Sequence, residues 1–220
     1  LDEKDNVDLT PFWSALDKTL PYIKNQALIV VSSQIPVGSS SKIKQIIKKK
    51  RADLIFDYVY SPENLRFGES VENFLDPDRI VVGTDSLAAH KKMEDIFGDL
   101  KNKILKMSPQ SAELAKHALN AFLATSLSFT YDIADSCELA GADILDVMKA
   151  VRADSRVGPR AYLDASLGFS GGTLGRDLGI LMSSVDNNPD IFPVIAGVLK
   201  KNRERRRILI DRLNKELSTL

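Results

Sequence analysis

Cysteine and histidine are scarce in this chain of 220 residues, which contains a single cysteine, Cys137, and two histidines, His90 and His117. A lone cysteine excludes a framework of intrachain disulfide bonds, and two isolated histidines do not have the spacing of a zinc site. We therefore expect no bound metal. The scarcity of cysteine also favours a reducing compartment, so a cytoplasmic protein is expected.

Neither sign of charge is in excess, because thirty Lys and Arg balance thirty Asp and Glu. Without an overall field, binding to nucleic acid or to an anionic membrane would need a local patch, and we expect neither partner. No apolar run approaches the ~20 residues of a membrane span, and the first residues resemble no secretory signal. Since the first methionine is Met93, we expect the natural start of the protein to lie upstream of Leu1.

Short apolar strands alternate with helical stretches in the first half of the chain, a pattern typical of a parallel sheet with crossover helices. Predicted helices cover 9–23, 41–50 and 86–97, the last with Asp85 as its cap. The strand candidates are rich in β-branched and aromatic residues and cover 27–31, 54–59, 79–83 and 103–107.

Strand patterns are absent after Met107, where Ser108 and Pro109 form a typical helix start. A long, largely apolar helix is predicted from there to about Glu138, with Gly141 ending it. Further helices are predicted over 143–151, 176–184 and 192–217. The sequence thus predicts an α/β domain over residues 1–107 followed by an all-α domain over residues 108–220.

The first strand candidate has no partner before it, so the chain by itself would expose an apolar sheet edge. An upstream βαβ unit would cover that edge. Such a unit is also where a dinucleotide-binding fold carries its Gly-x-Gly-x-x-Gly fingerprint, which does not occur in this chain.

Two polar loops follow predicted strands, at the sheet edge where open α/β folds bind ligands. Residues 32–38 have the composition of such a loop, although proline and glycine also suit an ordinary turn. In the second loop, residues 60–68, Glu63 could serve as a general base if burial raised its pKa. The alternative is that Glu63 only favours the dipole of a short helix after Pro62.

The predicted long helix carries Glu113, Lys116 and Asn120 on one face. Lys116 and Asn120 could bind an oxyanion together, or the three could form a solvated stripe. His117 is interpreted as a surface or core residue and not as a catalyst.

A glycine-rich segment over 167–177 contains four glycines, which permit positive φ and a close approach to a ligand; a flexible loop is an equal alternative. The basic runs 48–51 and 203–207 are predicted to be solvated helix faces.

Taken in order, these segments resemble the UDP-glucose and GDP-mannose dehydrogenase family. Ser33-Gln34-Ile35-Pro36-Val37-Gly38 resembles its Ser-Thr-Val-Pro-x-Gly loop, and Ser61-Pro62-Glu63-Asn64-Leu65-Arg66-Phe67-Gly68 its Pro-Glu-Phe-Leu-x-Glu-Gly motif. Ala112 to Asn120 is similar to the family's Ala-Glu-x-x-Lys-x-x-x-Asn helix, and residues 77–83 and 137–143 match as well. The resemblance implies part of a Rossmann-like NAD domain, then a central helical domain that pairs two subunits into a homodimer.

The resemblance also implies a reaction, the NAD-dependent oxidation of a nucleotide sugar at its C6 hydroxyl. It assigns Glu63 as the base, Lys116 and Asn120 as ligands of the oxyanion, and Asp177 as an assistant through water, all converging on one cavity. The implied substrate contacts are Leu65, Arg156, Gly168, Phe169, Gly171 and Gly172, with Arg156 reaching across the dimer. The implied cofactor contacts are Ser33, Gln34, Phe67 and Arg176.

The chain departs from the family pattern most clearly at Thr173, where the resemblance places a nucleophilic cysteine. A hydroxyl ionises far less readily than a thiol, so Thr173 is expected to be a poor nucleophile. Gln34, Phe67, Asp132 and Arg176 also replace a threonine, two glutamates and a lysine. Two alternatives remain open: a catalytically inactive homologue that binds or dimerises, and a dehydrogenase of small hydroxy acids with a similar helical domain.

Overall fold

The computed structural model describes residues 8–63, 65 and 68–218. The chain forms two compact units, Asp8–Lys116 and a second one that begins at His117. This division falls inside a helix, whereas the sequence places a domain boundary at Ser108, where the strands end. The domain division by sequence pattern stays a prediction.

The first unit contains a four-stranded sheet in the order β1-β2-β3-β4. Its strands are β1 Ala27–Val31, β2 Phe56–Tyr60, β3 Ile80–Gly83 and β4 Ile104–Met107. β1 pairs with β2, and β3 with β4, in parallel. This confirms the predicted α/β class, but β2 and β3 meet antiparallel, through Tyr60 and Gly83.

Helices of the first unit flank these strands. They are α1 Thr10–Thr19, α2 Ser39–Lys50, the unpredicted α3 Ser70–Leu75 and α4 Leu87–Phe97, with 3₁₀ turns at Leu20–Tyr22 and Gly98–Lys103. The prediction that Asp85 caps α4 is wrong. The cap is the extended residue Ser86, whose side chain accepts a hydrogen bond from Ala89 N at 3.1 Å. Asp85 binds Lys44 instead, at 2.9 Å.

The two faces of the sheet pack against different clusters of buried side chains. From β2, Tyr58 and Tyr60 join a cluster with Ile43 and Ile47 of α2. Val59, which points to the opposite face, joins a cluster with residues of β3 and α4. Within the described residues β1 pairs with β2 alone, so its other edge is open, in agreement with the predicted exposed edge.

A buried carboxylate connects the end of β1 to α5, the long helix Pro109–Ala140. Glu113 of α5 is fully buried and accepts hydrogen bonds from the backbone amides of Gly38 and Ser40, each at 2.6 Å. These amides belong to the N-terminus of α2, where N–H groups have no partner within the helix. Gly38 has a φ of 90°, the left-handed conformation that glycine adopts without strain.

The second unit is helical, as predicted. Besides the remainder of α5 it contains α6 Ile144–Ala153, α7 Arg176–Ser183 and α8 Pro193–Leu217. Its core joins Ala124, Leu127 and Tyr131 of α5 to Leu178 of α7 and Val198 of α8. No helix in the described part of the chain is long and apolar enough to cross a membrane, and no cluster of potential metal ligands occurs there.

The prediction that residues 203–207 are a solvated face is wrong for Arg205, which is buried. Its guanidinium binds Asp135 of α5, lies over the Tyr131 ring at 5.4 Å and donates to the Ser166 carbonyl at 2.9 Å. Lys201, one helical turn earlier, binds the same aspartate at 2.6 Å. The ion pair with Asp135 of α5 therefore accompanies the burial of Arg205 in the basic run of α8.

We expect Glu113→Ala to lower the free energy of unfolding by about 3 kcal/mol, because it leaves the amides of Gly38 and Ser40 buried without an acceptor. Urea unfolding followed by circular dichroism measures this change. Glu72→Ala, on the exposed face of α3, is the matched control and should change stability by less than about 0.5 kcal/mol. Equal midpoints for Glu113→Ala and the unsubstituted protein would contradict the assigned role of Glu113.

Candidate active site

The loop after β1 carries two of the predicted cofactor contacts. Ser33 is exposed and Gln34 is half-buried, just beyond the carboxyl end of β1. The loop ends at Gly38, where its backbone is held by Glu113. Ligands of open α/β sheets bind at this edge.

The N-terminus of α2 differs from a usual phosphate site. Helix N-termini beside such loops often bind phosphate through free amides. Here the amides of Gly38 and Ser40 already donate to the Glu113 carboxylate. The amides of Gly38 and Ser40 are therefore already committed to a carboxylate of the protein itself.

Glu63 is exposed, so the burial on which its predicted action as a base depended is not found. Its carboxylate turns back to its own loop and accepts a hydrogen bond from Leu65 N at 2.6 Å. Leu65 is itself 45% exposed. Phe67, a predicted cofactor contact, lies outside the described residues.

Lys116 of α5 contacts the same loop. Its half-buried ammonium donates to the main-chain oxygen of Glu63 at 2.9 Å. This bond brings together two residues that the sequence analysis assigned to one site. The alternative of a solvated stripe on α5 is wrong for Glu113 and Asn120, since both are buried.

The second unit contains a buried polar cluster around Asp177, the second residue of α7. The Asn120 amide donates to Asp177 Oδ2, and His117 Nδ1 lies 3.4 Å from Asp177 Oδ1. Asp177 and His117 are fully buried, and Asn120 is 5% exposed. The half-buried Arg176 places Nε 3.8 Å from Asp177 Oδ1.

The sequence did not lead us to assign His117 a functional position. The feature that could have indicated one is its spacing from Asn120. His117 precedes Asn120 by three residues, so a helix places both side chains on the same face. The structure shows that this face packs against α7 at Asp177.

The glycine-rich segment is anchored to α8 at one end. Asn202 is buried, accepts a hydrogen bond from Phe169 N at 2.9 Å and donates to Phe169 O at 3.1 Å. Gly168 has a φ of 119°, and a Cβ there would lie 2.8 Å from Asn202 Oδ1. Glycine at this position is therefore required by contact with α8 within the protein itself.

Phe169 has a buried side chain that packs with Leu178 and Val198 in the core of the second unit. Both polar groups of its backbone bind Asn202. The structure thus gives Phe169 a role in fixing the segment, and its predicted contact with substrate stays a prediction.

Thr173 lies in a single π-helical turn, Gly171–Gly175, that leads directly into α7. The turn is closed by a hydrogen bond from Gly175 N to Ser170 O at 3.4 Å. Thr173 and Gly172 are exposed. The Thr173 side chain is therefore accessible from solvent.

Arg156 has a side chain that is 87% exposed. Its guanidinium binds the neighbouring Asp154 at 2.8 Å, and this hydrogen bond holds the pKa of the Asp154 carboxyl below its usual value. The predicted contact of Arg156 with the substrate of a partner subunit stays a prediction.

Comparison with known proteins agrees with these motifs. The sequence profile of the NAD binding domain of the UDP-glucose/GDP-mannose dehydrogenase family matches residues 1–101, and that of its central domain matches residues 110–204. The chain belongs to this family. Its first part is accordingly an NAD-binding domain and its second part the family's central helical domain.

Individual relatives support the same assignment. The UDP-glucose 6-dehydrogenase of Rickettsia conorii is 34% identical over 207 residues, which are 94% of this chain and 47% of the relative. The UDP-glucose 6-dehydrogenase TuaD of Bacillus subtilis is 33% identical over 94% of this chain and 45% of its own length. The solved UDP-glucose dehydrogenase of Pyrobaculum islandicum superposes with a TM-score of 0.89 at 28% identity, covering 98% of this chain and 51% of that one.

The chain spans about half the length of the curated relatives that it matches.

We expect Asn202→Ala to release the glycine-rich segment, because Phe169 would lose both backbone partners in a buried setting. Hydrogen exchange in peptides covering 167–175 should accelerate, and the free energy of unfolding should fall by about 1–3 kcal/mol. Asn214→Ala, at an exposed position of the same helix, is the matched control. Unchanged exchange in the Asn202 variant would show that the segment is held by other contacts.

Proposed function

We propose that the intact protein is an NAD-dependent nucleotide-sugar dehydrogenase that oxidises the C6 hydroxyl of a UDP-, GDP- or dTDP-sugar. The observation that carries this proposal is the buried bond between Asn120 and Asp177, one helical turn beyond Lys116 on α5. These are the residues to which the family resemblance assigns the oxyanion and its assisting water. Family membership favours nucleotide sugars over small hydroxy acids.

The proposed chemistry separates into a proton transfer and a hydride transfer. Ser33, Gln34, Phe67 and Arg176 would hold NAD in this proposal, and the bound cofactor would supply the acceptor for the hydride of C6. Glu63 removes the proton of the C6 hydroxyl, directly or through water, since its carboxylate is open to solvent.

The negative charge that develops on the C6 oxygen needs fixed donors. The Lys116 ammonium and the remaining N–H of the Asn120 amide supply them in this proposal. Asp177 sets the Asn120 amide so that its nitrogen, and not its oxygen, faces the carboxylate. The convergence of these residues around one substrate is part of the proposal.

The substrate itself is proposed to lie along the turn that carries Thr173. Leu65, Gly168, Phe169, Gly171 and Gly172 are the proposed contacts within the chain, and Arg156 reaches the substrate of a partner subunit.

Thr173 changes the expected product. A cysteine thiolate at this position would capture the aldehyde and allow a second oxidation through a thioester. Threonine is a weak nucleophile unless a base activates it. We infer that the aldehyde leaves, free or hydrated, without a covalent intermediate, or that the second oxidation is lost.

A homodimer through the central helices is also proposed. Phe122 and Phe129 lie seven residues apart on α5, so they share a face, and they are 68% and 48% exposed. Exposed apolar side chains on one helix face are typical of an interface between chains. The single cysteine of the chain supports a cytoplasmic location.

A second candidate is a catalytically inactive homologue that binds or dimerises, which Thr173 and the exposed Glu63 favour. Incubation of the intact protein with NAD and a panel of UDP-, GDP- and dTDP-sugars, with NADH measured, decides between the two. The dehydrogenase proposal expects NADH with at least one sugar. No NADH with any sugar, from a protein that still binds NAD, would favour the inactive homologue.

We expect Thr173→Cys to convert the reaction into a two-step oxidation, because a thiolate can hold the aldehyde as a covalent adduct. The ratio of NADH to sugar consumed should rise from about one to about two, and mass spectrometry should find sugar bound to residue 173. Thr173→Ser is the matched control and should behave as the unsubstituted protein does. A sugar adduct on Thr173 itself would contradict our interpretation of that residue.

A further inference from the structure

The Asp177 carboxylate faces two side chains from the same face of α5, and one of them has no role in the proposed chemistry. Asn120 binds Oδ2, and His117, three residues earlier, places Nδ1 3.4 Å from Oδ1. Both histidine and aspartate are fully buried. Each oxygen of the Asp177 carboxylate therefore faces a different residue of α5, Oδ1 facing His117 and Oδ2 facing Asn120.

A buried carboxylate is stable only where nearby donors or positive charge compensate for the loss of water. Imidazole can present an N–H at Nδ1 as a neutral tautomer and always does so when protonated. At 3.4 Å the contact is longer than an optimal hydrogen bond. The guanidinium of Arg176 also faces this carboxylate, with Nε 3.8 Å from the same oxygen.

The orientation of Asp177 matters because it determines the orientation of Asn120. An amide nitrogen has two hydrogens, and a carboxylate at Oδ2 can accept only from the nitrogen end of the amide. With one N–H committed to Asp177, the direction of the second is fixed. If the Asp177 carboxylate rotated about its Cβ–Cγ bond, Oδ2 would move and the direction of the second Asn120 N–H would no longer be fixed.

We propose that His117 is a positioning residue: by its contact with Oδ1 it fixes the Asp177 carboxylate, and through Asp177 it fixes the N–H of Asn120 that meets the C6 oxygen. This inference rests on the proposed dehydrogenase function. A histidine that merely fills space in the core would contribute to stability but not to the rate of the chemical step.

The kinetic test uses three substitutions in the intact protein, measured with the nucleotide sugar that gives NADH. His117→Leu replaces the imidazole by an apolar side chain of similar size and removes the donor. His117→Asn keeps a nitrogen close to the position of Nδ1, and His117→Gln moves that nitrogen one atom further. We expect kcat to fall about tenfold or more in the Leu and Gln variants with KM nearly unchanged, and to recover to within about threefold in the Asn variant.

Thermal unfolding of the same variants separates positioning from packing. The proposal expects kcat to follow the presence of the nitrogen and not the melting temperature. An unchanged kcat in His117→Leu, or equal losses in the Leu and Asn variants, would overturn it.

A second measurement does not depend on catalysis. His117 and His90 are the two histidines of this 220-residue chain, so their ring-nitrogen NMR signals can be assigned by comparison with His117→Asn. Asp177→Asn is expected to shift the His117 signals and leave those of His90, on α4 of the other unit, unchanged. Asn120→Ala, which releases Oδ2, provides the same readout should Asp177→Asn not fold.

The two measurements separate the failure of this inference from the failure of the proposed function. If the His117 signals were unchanged in both Asp177→Asn and Asn120→Ala, the positioning role would be overturned even in an active enzyme. Shifted signals in a protein that oxidises no nucleotide sugar would support the contact between His117 and Asp177 while refuting the dehydrogenase proposal.

Discussion

A buried carboxylate that accepts two backbone hydrogen bonds is the interaction on which the first unit depends. Glu113 lies on α5, and its two oxygens bind the first amides of α2, so the loop after β1 cannot move independently of that helix. One turn later α5 presents Lys116 to the Glu63 loop. Two separate loops, one after β1 and one after β2, are thereby attached to the same helix, α5.

The same helix continues into the second unit and repeats this arrangement there. Its residues at successive turns contact Asp177, just as Glu113 and Lys116 contact the loops of the first unit. Polar side chains that are spaced by three or four residues along α5 thus contact different segments one after another. This explains why a motif of Glu, Lys and Asn at helical spacing is informative: each member meets a different partner.

The sequence predicts the features that arise from local patterns. The strands, the long helix and the change from α/β to all-α follow from periodicity, glycine and proline, while the family motifs locate Lys116, Asn120 and Asp177. Features that depend on distant partners were not predictable. Arg205 is buried because its partner Asp135 lies on another helix, 70 residues away along the chain. His117 has a partner 60 residues away along the chain, which its local sequence does not indicate.

The pairing of Asn202 with Phe169 joins α8 to the glycine-rich segment. Asn202 is the tenth residue of the 25-residue α8, and its side chain binds both polar groups of the Phe169 backbone. Phe169 lies four residues before Thr173, so the backbone that leads to this threonine is anchored by a helix that comes later in the chain.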